Sequence, residues 1–133
     1  MTCFWDGIIS SLEIKDFQKL DITIKPSPRE FVELLKKYNI KTHNVCWCNE
    51  KITDKQIEEN YEAIQNYDIN TINKGYYCST FDPFLLLIAE LFNLDIYHKY
   101  LNNTINYKSN NHTKVVEYSS NKSHFTFIKS YHK

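Results

Sequence analysis

The stretch Asp82-Pro83-Phe84-Leu85-Leu86-Leu87-Ile88-Ala89-Glu90-Leu91-Phe92-Asn93-Leu94-Asp95-Ile96-Tyr97 decides the fold of this 133-residue chain. Its first two residues are typical of a helix start, and the apolar residues that follow lie almost all round the helix. This pattern predicts a central, buried helix, and Asn93 is a residue at which helices commonly stop. From Leu94 to Tyr100 the sequence is rich in β-branched and aromatic residues, which indicates a strand.

Three more helices are predicted before this stretch. Residues 3–12 have apolar side chains at helical spacing. The patterns Ser27-Pro28-Arg29-Glu30 and Thr53-Asp54-Lys55-Gln56 are capping boxes, each followed by one apolar helix face. The segments between the helices are predicted to be a connector, a polar loop and a turn-rich stretch: residues 13–26, 42–50 and 66–80.

Three more strands are predicted after it: residues 104–108, 114–118 and 124–129. Asn102-Asn103 is a candidate hairpin turn between the strand that ends at Tyr100 and the strand at residues 104–108. Helices followed by strands indicate an α+β fold, with about four N-terminal helices packed on a C-terminal antiparallel sheet of about four strands. A chain of this length buries one useful core, so we expect a single domain over residues 1–133.

Composition narrows the possible functions. The 16 basic and 16 acidic residues balance, and no long basic block appears, which argues against nucleic-acid binding. The start of the chain lacks a signal-peptide pattern, and the longest apolar run, residues 84–89, is too short to span a bilayer. We expect a cytoplasmic monomer away from membranes. The abundance of Asn, Lys, Ile and Tyr is typical of AT-rich genomes, such as those of large DNA viruses or parasites, so a viral protein would act in the host cell.

Cys3 is the first candidate for chemistry. It begins a predicted helix, where free N–H groups and a partial positive charge favour a thiolate. The competing interpretation is an inert buried cysteine or a disordered terminal residue. In an intracellular protein the four cysteines are expected to be free thiols, metal ligands or core residues.

His124 is the second candidate, in Ser123-His124-Phe125-Thr126-Phe127-Ile128. It opens the last predicted strand, whose phenylalanines would anchor it, and a histidine held there is well placed as a general base. The competing interpretation is an ordinary surface histidine. A cysteine early and a histidine late in the chain is the order of many papain-like enzymes.

Cys46-Trp47-Cys48, with His43 nearby and Cys78 further along, is the candidate zinc site in this sequence. Thiolate and imidazole are proper zinc ligands, but two to four residues usually separate paired ligands, and no second clean pair exists. We therefore predict no metal and no cofactor. The alternative for the CxC pair is a partly exposed loop whose Trp47 packs on the domain.

Taken in order, these segments resemble the ovarian-tumour (OTU) type of papain-like cysteine peptidase over nearly the whole chain. Cys3-Phe4-Trp5 is similar to the family's nucleophile helix, and Ser27-Pro28-Arg29-Glu30-Phe31 is similar to its next helix. Gly75-Tyr76-Tyr77-Cys78-Ser79-Thr80 lies where the family has a Gly-Trp-Gly-like turn. Residues 84–89 and 94–97 are similar to the central helix and the strand after it, and Ser123-His124-Phe125 lies where the family has its catalytic His-aromatic pair.

The resemblance implies a nucleophile at Cys3 and a general base at His124. The family's third residue commonly lies two positions after the histidine, which is Thr126 here. A threonine accepts a hydrogen bond from the imidazole but supplies no charge, and Asn121 is the other possible orienting group. The family also has an aspartate three residues before the cysteine, a position with no counterpart in this sequence.

The function implied is hydrolysis of isopeptide or peptide bonds at the C-terminus of ubiquitin or a ubiquitin-like protein. Its partners would be that protein and the substrates modified by it. Two alternatives stay open. One is a papain-like viral protease that processes a polyprotein, and the other is a non-catalytic module of the same fold that binds ubiquitin or a host protein.

Overall fold

The computed structural model describes residues 2–133. Its helices are α1 (Cys3–Ser11), α2 (Ile14–Gln18), α3 (Pro28–Lys37), α4 (Asp54–Gln65) and α5 (Pro83–Phe92), with a 3₁₀ helix at Ile69–Lys74. Its strands are β1 (Val45–Trp47), β2 (Glu50–Lys51), β3 (Leu94–Tyr100), β4 (Asn103–Ser109), β5 (Lys114–Ser120) and β6 (Phe125–His132). The predicted α+β class is confirmed. Within residues 2–133, no helix is both long and apolar enough to cross a membrane.

The helix boundaries follow local signals in the sequence. The Ser27 hydroxyl accepts the backbone N–H of Glu30, whose carboxylate in turn accepts the N–H of Ser27, and residues 53 and 56 form the same box. Asp82 caps α5, and Asn93 ends it in the left-handed conformation at φ 55°. Each of these stop and start predictions is confirmed, because a cap is decided by residues within one turn.

The sheet differs from the prediction. It has six strands in the order β2-β1-β4-β3-β5-β6, where about four were expected. It is mixed, because β3 and β5 run parallel while the other neighbouring pairs are antiparallel. The purely antiparallel prediction is therefore wrong. The far edge of β4 pairs with β1, so the chain returning from β4 adds β5 to the other side of β3.

The three segments predicted between the helices each contain a short element, which in the turn-rich stretch is the 3₁₀ helix. The expected polar loop holds the short hairpin β1–β2, and the expected connector holds α2. A three-residue strand is too short to show a period, and β1 forms because β4 offers it a partner. In α2, a reciprocal box between Glu13 and Asp16 caps five residues, and Phe17 anchors them in the core.

Packing of two helices places the candidate site. α5 packs on β3 and β4, and all of its residues from Phe84 to Ala89 are buried. α1 packs on β6, where the Phe4 ring and the backbone at Gly7 lie against Phe125. Consequently the N-terminus of α1 lies beside the turn that joins β5 to β6.

Candidate functional site

A pocket lies between the start of α1, the segment after the 3₁₀ helix and the β5–β6 turn. Cys3, Asn121 and His124, which the sequence singled out, all line it, whereas Thr126 does not. The other lining residues are Phe4, Lys74, Gly75, Tyr76, Tyr77, Cys78, Tyr100, Ser120, Lys122, Ser123 and Phe125. The structure therefore brings the two ends of the chain to one cavity.

The first turn of α1 holds Cys3 at the pocket. Its thiol is free and half-buried, and the adjacent Phe4 is buried between the rings of Tyr76 and Phe125, each 4.7 Å away between centroids. The Thr2 hydroxyl donates to the Asp6 carboxylate over 2.7 Å, which closes the first turn. The first N–H groups of a helix lack partners in the helix, so they are free to bind a developing oxyanion.

His124 is exposed and is the last residue before β6. The strand therefore begins one residue later than predicted. The side-chain oxygen of Asn121 accepts the backbone N–H of both Ser123 and His124, at 2.9 Å each. The N–H of Asn121 donates to the carbonyl of His124 over 2.9 Å. Asn121 therefore orients His124 through the main chain and not through the ring.

Thr126 lies on β6 opposite Ser119, and its side chain is exposed. Successive strand residues point to opposite faces, and the preceding Phe125 is buried in the core, so Thr126 faces the other side of the sheet. Within residues 2–133, no hydrogen bond joins Thr126, or any other residue, to the His124 ring. The predicted third residue is therefore not found at this position.

A second polar cluster lies at the pocket, which two of its members, Cys78 and Ser120, line, and sequence reasoning missed it. His98 Nε2 lies 2.6 Å from Ser120 Oγ and 3.6 Å from Cys78 Sγ, which is itself 3.9 Å from Ser120 Oγ. His98 is fully buried, on the core-facing side of β3 with Ile96. The alternation in β3 predicts this facing, but only the fold brings the other two residues to the imidazole.

Burial keeps this cluster uncharged. It lowers the pKa of His98 to about 4, so the imidazole is neutral at physiological pH. Burial, followed by the nearby Asp82 carboxylate, raises the pKa of Cys78 to about 12, so the thiol keeps its proton. A protonated, partly buried thiol is a poor nucleophile.

Asp82 ties the segment that carries Cys78 to α5. It accepts hydrogen bonds from the Tyr76 hydroxyl at 2.8 Å, from the N–H of Ser79 at 3.0 Å, and from the N–H groups of Phe84 and Leu85 at 2.9 and 3.2 Å. Burial raises its pKa to about 6 against these four bonds, which favour the carboxylate. One side chain thus fixes both the helix start and a wall of the pocket.

The candidate metal ligands lie apart. Cys46 and Cys48 flank Trp47 on the β1–β2 hairpin, where the indole N–H donates to the carbonyl of Thr80 over 2.9 Å, so Trp47 packs on the domain. Cys46 Sγ lies 3.9 Å from the side-chain oxygen of Asn110. Across residues 2–133 no group of three or more His, Cys, Asp or Glu side chains could hold a metal ion.

In comparisons with known proteins, no family model, curated protein or solved structure matches the chain.

Proposed function

We propose that this protein is a cysteine-dependent hydrolase of the papain-like, OTU type that cleaves bonds at the C-terminus of ubiquitin or a ubiquitin-like protein. One observation carries the proposal: Cys3 and His124, from opposite ends of the chain, line the same pocket. A nucleophile and its base must come within near hydrogen-bond reach to react, and only the fold brings two residues so distant in sequence to one pocket.

The chemistry assigns one role to each side chain. The Cys3 sulfur attacks the carbonyl carbon, and the His124 ring takes the thiol proton and then delivers it to the departing amine. Water next attacks the thioester, with His124 as base, and the carboxylate product leaves Cys3 free again. The backbone N–H groups in the first turn of α1 bind the oxyanion of both tetrahedral intermediates.

Aromatic packing supports this arrangement. Phe4 follows the nucleophile, Phe125 follows the base, and their ring centroids lie 4.7 Å apart. Both side chains are buried, so each holds its functional neighbour from within the core. The substrates would be ubiquitin-modified proteins in the cytoplasm, in the host cell if the protein is viral.

The test is covalent labelling with ubiquitin that carries a C-terminal electrophile. The wild-type protein is expected to form one adduct at Cys3, which Cys3→Ala abolishes. Cys46→Ala is the matched control, because Cys46 has similar exposure on the β1–β2 hairpin and does not line the pocket. His124→Ala is expected to slow labelling about 100-fold, since general bases commonly contribute that much.

A non-catalytic binding module is the second candidate. It is favoured by the lack of a hydrogen-bond partner for the His124 ring among residues 2–133. No hydrogen bond within residues 2–133 orients that imidazole, whereas working bases usually have an orienting partner. Micromolar ubiquitin binding without adduct formation would replace the hydrolase with this module. Labelling by short peptide electrophiles, but not by the ubiquitin probe, would instead favour the polyprotein-processing protease.

A further inference from the structure

The cluster of Cys78, His98 and Ser120 joins the two segments that form the pocket walls. Cys78 belongs to the segment that follows the 3₁₀ helix, and Ser120 is the last residue of β5 before the turn that carries His124. The two come together at one atom, His98 Nε2, at 3.6 and 2.6 Å. A single buried imidazole thus holds both walls from behind.

All polar contact of the His98 ring is made through Nε2. The other ring nitrogen, Nδ1, is buried and has no hydrogen-bond partner among residues 2–133. Leaving a buried polar atom unpaired is costly, and an apolar side chain would avoid that cost. The contacts of Nε2 therefore account for a histidine, and not an apolar residue, at this buried position.

The ring also connects to the proposed nucleophile and base. Its centroid lies 5.6 Å from that of Phe125, which follows His124 and packs on Phe4 beside Cys3. Ser120 pairs with Phe125 at the closed end of the β5–β6 hairpin, so a shift of Ser120 moves the turn bearing His124. Within residues 2–133, no hydrogen bond or ring contact joins His98 to either proposed catalytic side chain, so it acts through these neighbours.

We infer that His98 is a positioning residue, which uses Nε2 to hold the β5–β6 turn and the Cys78 segment so that His124 faces Cys3. This inference rests on the proposed function. Cys78 lines the pocket but has no nucleophilic part in it, because its thiol contacts the imidazole and burial keeps the thiol protonated. A misplacement of about 1 Å in such a pair can cost as much as 100-fold in rate.

The test compares two amides at position 98. Glutamine places its terminal amide near the position of Nε2, whereas asparagine reaches only the position of Nδ1. The readout is the alkylation rate of Cys3 by iodoacetamide in the folded protein, measured by mass spectrometry with Cys46 as the internal reference. His98→Gln is expected to stay within about threefold of wild type, and His98→Asn to fall about tenfold.

A purely structural role is separated by repeating the comparison in a His124→Ala background. If His98 acts by positioning His124, His98→Asn has no further effect once the His124 ring is absent. The inference would be overturned if His98→Asn slowed Cys3 alkylation equally in both backgrounds, or if it did not slow it in the protein that retains His124. Should His98→Asn not fold, Ser120→Ala removes one partner of Nε2, with Ser119→Ala on the opposite sheet face as its control.

The outcome for His124→Ala alone decides the proposed function separately. If it leaves the Cys3 rate unchanged, the pairing of Cys3 with His124 is wrong, and His98 has no pair to position. If His124→Ala slows the alkylation of Cys3 but ubiquitin probes do not label the protein, the ubiquitin specificity is wrong. The inference on His98 is then decided by the His98 variants alone.

Discussion

The two ends of helix α1 are built in opposite ways. At its C-terminal end, the carbonyl of Ser11 accepts a hydrogen bond from the Lys114 ammonium at 3.0 Å, and the Ser11 hydroxyl contacts the Tyr118 hydroxyl. Lys114 also pairs with Asp16 at 3.0 Å, and both charged side chains are nearly inaccessible to water. At the N-terminal end, the Cys3 thiol has no hydrogen-bond partner within residues 2–133 and lines an open pocket.

The difference shows how a helix can be fixed at one end so that the other can be reactive. A cation at a helix C-terminus is favourable, because it faces the negative end of the helix dipole and the unpaired carbonyls. Lys114 satisfies one of those carbonyls and links α1 to α2 through Asp16. With its position held there, α1 needs no polar anchor at Cys3, which leaves the thiol free.

Removing the fixed end is expected to have the largest effect. Lys114→Met leaves the Asp16 carboxylate buried without its cation, which typically costs about 3–5 kcal/mol. Lys129→Met is the control, because Lys129 pairs with Glu117 in an exposed position where ion pairs contribute about 1 kcal/mol or less. Urea unfolding at pH 7 measures both, and equal losses would contradict the contrast between the two ends.

Lys114→Met combined with Asp16→Leu sharpens the comparison. The double variant removes the unpaired charge and is expected to recover most of the loss, because an apolar pair often replaces a buried ion pair without cost. A double variant as unstable as Lys114→Met would show that the bond from Lys114 to the Ser11 carbonyl, and not the ion pair, holds this end.

The pocket end is expected to respond to pH through His98. Its pKa of about 4 lies below the ordinary value, so the unfolded chain takes up a proton near pH 6.5 while the native protein does not. Stability from this group is complete above pH 6.5 and falls towards pH 4, by about 3 kcal/mol. Asp82, whose pKa of about 6 is raised, acts in the opposite sense over a similar range.

The difference between wild type and His98→Gln isolates the histidine term, because Asp82 is common to both proteins. Urea unfolding at a series of pH values from 7 to 4 should show wild type losing stability relative to the variant as pH falls. Parallel curves would mean that the buried imidazole is protonated as easily in the native protein as in the unfolded chain.

A smaller effect is expected at the contact between α1 and β6. A methyl group at Gly7 would lie 2.8 Å from Cδ1 of Phe125, so the ring beside His124 would have to shift. Alanine raises helix propensity by about 1 kcal/mol, but overpacking costs about 1–3 kcal/mol, so Gly7→Ala is expected to destabilise by about 1 kcal/mol. Cys3 alkylation should slow with it. Ser10→Ala, on the exposed side of α1, should change neither.

The smallest effect on stability is expected in the turn that carries His124. Asn121→Ala removes the acceptor of two backbone N–H groups, but the turn is exposed and water replaces the amide, so the loss is about 1 kcal/mol or less. The rate of Cys3 labelling is nevertheless expected to fall, because the main chain of His124 loses its restraint. Lys122→Ala in the same turn is the control, and equal labelling rates would contradict the assigned role of Asn121.

Much of the candidate site could be predicted from single residues and short patterns. Cys3 at a helix start and His124 next to an aromatic strand were identified in this way, and both line the pocket. Thr126 is exposed and does not line the pocket, and the position of the pocket could not be predicted from the sequence alone. His98 could not be predicted as part of the site, because the alternating pattern of a strand does not show whether a histidine in it has hydrogen-bond partners in the fold.

By itself, the sequence determined the helix caps, the central helix α5 and the strand β3 after it, because each depends on residues within a few positions of one another. Only the tertiary structure decided the mixed sheet and the cluster at His98 Nε2, and only it brought Cys3 and His124 to one pocket. These features depend on contacts between distant segments. Since β1 occupies the far edge of β4, β5 pairs with β3 instead, and the two chain reversals between them make that pair parallel.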